Sequence, residues 1–455
     1  MAAAPSDRSR RGRGLPWPLL AFQQDMRMTK TDPLLQAVKD SIKAYCDQHH
    51  DFSFKPADPI VRLHEPTFGA DEIFAATEVM LSTFVTMGPL VKAFEQEFAK
   101  ACGTAHAVMV NSGSSANLLA IAALANPAAK DGLKAGDEVI VPALSWSTTV
   151  WPIVQCGLVP VIVDIDPETM NIDPAKAEEA IGPRTRAIMP VHVYGNPCDM
   201  NALSDLCQRK GLILIEDGCE ALGASFGKKN VGAFGRVGTF SFYYSHHIAT
   251  FEGGICVTDD PELAELMRIL RAHGWIRETE NPEPFIKAYP DIDRKFLFVN
   301  LGYNLRATEM QGAVGSLQLP KLAGFVERRR KGAAFWQREL APYASHLRMQ
   351  KETAGGTSSW FGIPVTVQPS APFTAMDLRN ALGAAKIESR PVICGNIARQ
   401  PGLQMFLHRV SGGLEHADLV MRNAFSFANH QDVGEAGRQH MAATFKNFFS
   451  KLGVG

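Results

Sequence analysis

VPVIVDI (159–165), RAIMPVHV (186–193) and LILIED (212–217) are three near-continuous apolar runs of strand length, without the alternation of polar and apolar residues that marks a half-exposed sheet. Strands covered on both faces read this way, and helices are the usual cover. Working outward, HAVMVN (106–111) and EVIVPA (138–143) read as further strands. Ser114 to Ala125, Ser147 to Cys156 and Ala202 to Lys210 read as helices between them. This alternation predicts an α/β domain on a mostly parallel sheet. Upstream, apolar residues recur at helical spacing from Asp71 to Cys102, where Gly103 supplies a stop.

Beyond Asp260 the pattern changes to long amphipathic helices, Pro261 to His273, Thr308 to Leu319 and Lys321 to Tyr343, followed by a strand-like SWFGIPVTV (359–367). A large domain over 30–270 and a smaller C-terminal domain over 271–455 are expected, with residues 30–70 packing beside the smaller one. Glu278 to Arg294 reads as a surface loop. Residues 1–29 read as a disordered leader: four arginines precede a short apolar run, Leu15 to Phe22, that carries two prolines and lacks a small-x-small cleavage site.

A chain of 455 residues has volume for a large buried core. Its net charge of −1 gives no electrostatic reason to expect nucleic acid or a membrane surface as partner. No stretch approaches the roughly 20 apolar residues of a membrane span. The eight cysteines are scattered, with no C-x-x-C pair, which favours a reducing, cytoplasmic compartment and no metal site.

Three segments carry chemistry. Asn111-Ser112-Gly113-Ser114-Ser115 is a small, polar junction between strand and helix; it offers free amides and a helix dipole to a phosphate, or it is an ordinary turn. Glu216 and Asp217 end an apolar strand at the carboxyl edge, where ligands of α/β sheets bind. A carboxylate there can hold a ring nitrogen protonated, or it can cap a helix. SFYYSHHIATFEGG (241–254) sets His246 and His247 among serines, tyrosines and glycines, which suits a site better than a hydrophobic core.

These segments, in this order, resemble the sugar aminotransferase family of pyridoxal-phosphate enzymes. The resemblance runs from about Phe68 to Phe449 and includes TMGPLVKAFEQEFA (86–99), AGDEVIVPALSWSTT (135–149), TRAIMPVHVYGNPCDM (185–200) and GYNLRATEMQGAVGSLQL (302–319). It implies the aspartate aminotransferase fold, fold type I: a mostly parallel seven-stranded sheet flanked by helices, plus a smaller α+β C-terminal domain. It also implies that Gly113, Ser114 and Ser241 hold the cofactor phosphate, that Trp146 stacks on the pyridine ring and that Asp217 pairs with the ring nitrogen. Asn304 is implied to reach the phosphate from the partner subunit of a homodimer.

The sequence departs from that family at two positions. The aminotransferases carry at position 246 a lysine that forms a Schiff base; His246 cannot, so the cofactor is expected to be held noncovalently, with its amine form, pyridoxamine phosphate, as working reagent. Imidazole can instead serve as general base. Glu220 stands where the aminotransferases usually have glutamine beside the phenolic oxygen. Together with SGSSANLLA (112–120), EDGCEALG (216–223) and CGNIARQP (394–401), these changes resemble the ketosugar 3-dehydratase branch.

That branch implies a nucleotide-linked 4-keto-6-deoxyhexose as substrate, loss of its C3 hydroxyl after proton removal by His246, and a place in deoxysugar or lipopolysaccharide biosynthesis. His247, Arg399 and Gln400 are expected at the substrate. No cysteine lies between Cys256 and Cys394, which disfavours the iron-sulfur style of the branch and favours the style that regenerates its amine with glutamate. The competing readings are a nucleotide-sugar aminotransferase with an unorthodox catalytic residue, and a noncatalytic cofactor-binding regulator.

Overall fold

The computed structural model describes residues 32–453. The expected leader over 1–29 lies outside them. Seven strands make the central sheet: β1 His106–Val110, β2 Glu138–Pro142, β3 Val159–Val163, β4 Thr185–Ile188, β5 Ile213–Asp217, β6 Val237–Ser241 and β7 Gly254–Thr258. They lie in the order β1-β7-β6-β5-β4-β2-β3. Only β7 runs antiparallel to its neighbours, so the sheet is mostly parallel as expected. An eighth strand, Arg409–Val410, pairs in parallel with β3 and comes from the far end of the chain. Two residues with an exposed Val410 give too little pattern to read as a strand beforehand.

The unbroken apolar runs have the cause inferred for them. Every residue of β2, β3, β6 and β7 is buried, between helices such as Gly113–Leu124, Ser147–Gln155 and Pro261–Arg271 on one face and Met200–Lys210 on the other. The helical stretch from Asp71 to Cys102 is in fact two helices, Ala70–Leu81 and Pro89–Cys102. Pro89 starts the second at its first turn, and Thr83 between them takes a left-handed φ of 60°. Gly103 ends it at φ 82°, with its amide on the Ala99 carbonyl.

A second sheet is antiparallel: β8 Leu347–Met349, β9 Ile363–Val367, β10 Ser389–Pro391 and β11 Ala424–Phe427, in the order β8-β9-β11-β10. Helices Leu322–Leu340, Ala375–Ala384 and Gly434–Lys451 close its core around Trp336, Leu378 and Phe445. This is the smaller α+β unit. The packing does not follow a division at residue 270, however. Helix Glu309–Gln318 lies on helices Ala70–Leu81 and Pro89–Cys102, and Ile397, Leu403, Ala417 and Val420 join the core of the central sheet. At the start, Phe54 and Val61 pack with the smaller unit, whereas helix Pro33–His49 packs on Ala70–Leu81. Among the described residues, no helix is long and apolar enough to cross a membrane.

Candidate active site

The segments that follow β1, β2, β5 and β6 converge at the carboxyl edge of the sheet on a cavity of about 510 Å³. Ser112, Gly113 and Ser114 form one end of it. Ser112 caps the helix Gly113–Leu124, its hydroxyl accepting from the Ser115 amide at 3.1 Å, so the first amides of the helix face the cavity region with the positive end of its dipole. Ser241 closes over this turn: a Cβ at Gly113 would stand 2.5 Å from the Ser241 Cβ. Across it, a Cβ at Gly254 would meet the Ser112 carbonyl at 2.3 Å, which explains the glycine at that position. Ser114 donates its hydroxyl to Thr148 at 2.9 Å.

Asp217 lines the cavity beside the first turn of this helix, and its neighbour does not. Successive strand residues face opposite sides. Glu216 therefore points away, accepting amides from Gly232, Phe234 and Gly235 at 2.6–2.8 Å, while Asp217 lines the cavity. Asn117 Nδ2 and Thr149 Oγ1 donate to Asp217 Oδ2 at 2.9 and 2.7 Å, and the Cys219 amide donates to Oδ1 at 3.1 Å. The Thr239 hydroxyl on Asn117 Oδ1, at 2.6 Å, fixes which way the amide is turned. Three donors converge on one carboxyl group and fix its orientation.

Trp146, at the start of helix Ser147–Gln155, is 56% exposed and lines the cavity, so it is not a core aromatic. Glu220 lines it too, its Oε2 accepting from the Tyr194 amide at 2.9 Å. Burial pushes its pKa up to about 6, against the opposing effect of Arg390. His246 follows β6 after a tight turn, its amide on the Tyr243 carbonyl at 2.9 Å. Its ring packs 5.1 Å from that of Phe361, and neither ring nitrogen bonds a described residue. Desolvation, reinforced by Arg390 and Arg329, lowers its pKa to about 3, so the ring is neutral and can accept a proton. No lysine lines the cavity among the described residues.

Three expected site residues lie elsewhere. His247 is fully buried behind its neighbour, with Nε2 3.2 Å from the Ser359 carbonyl, and cannot touch a substrate in the cavity. Arg399 forks onto Asp418 through Nε and Nη2 at 3.0 and 2.7 Å; Gln400 donates to the Cys394 carbonyl at 3.0 Å; neither lines the cavity. The run CGNIARQP is thus a structural stitch, tied to Asp418 through Asn396 and Arg399 and to the Ser145 carbonyl through Cys394. Asn304 is exposed and accepts from Arg306 Nε at 3.0 Å, outside the cavity of its own chain. Conversely, sequence reading missed Arg390, Phe361, Asn117 and Thr149. Asn117 had a signal, as the polar interruption in the apolar helix SSANLLAIAAL, and Arg390 had one, as a cation between the apolar Ile387 and Val392.

A helix N-terminus, a carboxylate held by three donors and an indole lining one cavity, on this sheet, define a fold-type I pyridoxal-phosphate protein of the aminotransferase type. The chain belongs to the DegT/DnrJ/EryC1/StrS aminotransferase family, whose model matches residues 66–446. It is 42% identical over 377 residues to GDP-4-keto-6-deoxy-D-mannose 3-dehydratase of Yersinia pseudotuberculosis, covering 82% of this chain and 95% of that one. Among solved structures it is similar to the E. coli GDP-4-keto-6-deoxy-D-mannose-3-dehydratase with bound hydrated pyridoxal phosphate, with a TM-score of 0.77 and 38% identity over 85% of this chain and 99% of that one. A GDP-4-keto-6-deoxymannose-3-dehydratase with a trapped adduct of pyridoxal phosphate and glutamate matches with a TM-score of 0.77 and 39% identity, over 84% and 99%.

Proposed function

We propose that this protein is a dehydratase that uses noncovalent pyridoxamine phosphate to remove the C3 hydroxyl of a nucleotide-linked 4-keto-6-deoxyhexose, in deoxysugar or lipopolysaccharide biosynthesis. The observation that carries the proposal is His246, a neutral, unpartnered imidazole in a cofactor cavity that no lysine lines. The cavity fits the cofactor because it is lined by the start of the helix Gly113–Leu124, whose first amides can meet a phosphate, and because Asp217 meets it as a carboxylate already held by three donors. When bound, the cofactor supplies a pyridinium ring that accepts an electron pair from an attached carbon.

The residues then divide the work. Gly113, Ser114 and Ser241 hold the phosphate, Trp146 stacks on the ring, Asp217 keeps the ring nitrogen protonated and Glu220 faces the phenolic oxygen. His246 takes the proton whose removal drives loss of the C3 hydroxyl as water. Overall, ketosugar and glutamate give 3-deoxyketosugar, 2-oxoglutarate and ammonia, so the amino acid is the reductant and the balance closes. Asn304 is assigned to the phosphate of the partner's site in a homodimer, which light scattering tests. The eight cysteines are all unpaired in the structure, which supports a cytoplasmic location.

The relatives make GDP-4-keto-6-deoxymannose with L-glutamate the first pair to assay. Mass spectrometry should find the sugar nucleotide lighter by one oxygen atom. An amino group at C4 instead would identify an aminotransferase and overturn the proposal.

A further inference from the structure

A catalytic imidazole is usually turned to its task by a hydrogen bond that its second ring nitrogen donates to a carbonyl or a carboxylate. His246 lacks one. Its Nδ1 is buried without a partner, and its Nε2 bonds no described residue. Packing against other rings is what remains to set the plane of this one. Two aromatic rings of the cavity lie against it: Phe361, with ring centres 5.1 Å apart at an interplanar angle of 53°, and Tyr243, at 6.0 Å. Tyr243 belongs to the same turn as His246 and is 42% exposed, so it is no fixed reference.

Phe361 is held firmly by its surroundings. It is 4% exposed and lies just ahead of β9. Its amide donates to the Tyr194 carbonyl at 2.8 Å, and its carbonyl accepts from Arg329 Nη1 at 2.8 Å. Arg329, on helix Leu322–Leu340, is 1% exposed, forms no ion pair among the described residues and leaves its Nε without a partner. A buried guanidinium with no carboxylate to match it costs stability. Here its short hydrogen bond goes to the backbone of Phe361. The preceding residue, Trp360, takes a left-handed φ of 49°, a strained setting for a bulky side chain. That turn sends the indole into the core of the smaller unit and leaves the next side chain facing the cavity. A phenylalanine that only filled a core would need neither a strained neighbour nor a buried cation on its carbonyl.

We propose that Phe361 is a positioning residue for the reaction: it fixes the His246 ring by packing, in the place that a hydrogen-bonded carbonyl or carboxylate takes beside other catalytic histidines. This rests on reading His246 as the base of a dehydratase. Packing sets the plane of the imidazole and leaves both nitrogens free. The protein therefore assigns no tautomer, and no carboxylate shares a proton that the ring has taken.

The test compares holoenzymes of the wild type, Phe361→Leu, Phe361→Met and Phe361→Tyr, by crystallography of the His246 ring and by steady-state dehydration of GDP-4-keto-6-deoxymannose. Leucine and methionine remove the flat ring but keep apolar bulk, whereas tyrosine keeps the ring. In the leucine and methionine variants the His246 ring should leave its wild-type orientation, and kcat should fall on the order of a hundredfold with KM for the sugar nucleotide within about twofold. Phe361→Tyr should restore the orientation and most of the rate. A His246 ring that keeps its place in Phe361→Leu and Phe361→Met overturns the proposal, whatever the rate. A rise in KM with kcat unchanged overturns it too, by making Phe361 a substrate contact. If the wild type does not dehydrate the sugar, the dehydratase reading fails, and the orientation of the ring in the variants still decides whether Phe361 holds His246.

Discussion

At His246 burial keeps the ring unprotonated while making it a weaker base than a free imidazole. Desolvation removes the cationic form well below neutrality, leaving a base without a competing partner beside the ring of Phe361. Glu220 shows the opposite side of the same physics. Its folded pKa of about 6 exceeds the ordinary 4.5, so the folded protein keeps a proton that the unfolded chain loses. Its contribution to stability is fully present below pH 4.5 and is lost as pH rises through about 6. The loss amounts to about 2 kcal/mol. Glu220→Gln should remove this slope, so that urea unfolding at pH 4.5 and pH 7 shows a smaller difference in the variant than in wild type; equal slopes would mean that Glu220 is not desolvated. The histidine pair illustrates what a sequence can and cannot say about single residues. HHIATFEGG marked a site, yet which imidazole faces the cavity depends on a turn after β6, and only the fold shows that His247 points inward to Ser359. Arg399 misled for a related reason: a guanidinium near a ligand and one satisfied by Asp418 look the same in one dimension.

Strand ends, rather than any one residue, build the site, and that is why so much of it was legible. Each apolar run stops at the same edge of the sheet, so Ser112–Gly113, Trp146, Asp217 and Ser241 had to meet once the strands were parallel. Partners supplied by helix faces were not legible to the same degree. Asn117 and Thr149 reach Asp217 only because the helices Gly113–Leu124 and Ser147–Gln155 pack side by side, a matter of rotation that periodicity does not fix. The close approach of β6 to the first helix gives a sharp prediction. Gly113→Ala puts a methyl group 2.5 Å from the Ser241 Cβ and must push the two elements apart. The expected cost is about 1–3 kcal/mol of stability. Equilibrium dialysis should show weakened pyridoxal phosphate binding as the cradle opens. Binding and melting temperature both at wild-type values would mean that the phosphate end is not formed by this contact.

Across the whole molecule, the chain passes from the central sheet into the smaller unit, returns to the central sheet, where it adds the eighth strand, and ends in the smaller unit. That strand carries Arg409, whose Nη2 meets the buried Glu138 of β2 at 2.8 Å and the Ala180 carbonyl at 2.7 Å. Arg409→Met should leave Glu138 to Arg184 and Thr185 alone and cost about 1–3 kcal/mol, read as a lower denaturant midpoint with the same slope. An unchanged midpoint would show that the return strand is not coupled to the sheet edge. The fold class and five of the eight central strands could be read from hydrophobic pattern, because burial on both faces leaves a strong signature; Val237–Ser241, Gly254–Thr258 and Arg409–Val410 were not read as strands. The division between the units could not, because residues on either side of it join the same cores from distant parts of the chain. What joins all scales is the claim that a carbon-bound proton leaves to His246 and a hydroxyl leaves C3. The most direct measurement supplies pyridoxamine phosphate and GDP-4-keto-6-deoxymannose to wild type and to His246→Asn, and follows the sugar by mass spectrometry and NMR. Wild type should replace the C3 hydroxyl by hydrogen, and His246→Asn should bind both molecules yet react slower by roughly a factor of 10² to 10⁴. A full rate in the variant, or a C4 amine in place of the C3 deoxygenated product, would contradict it.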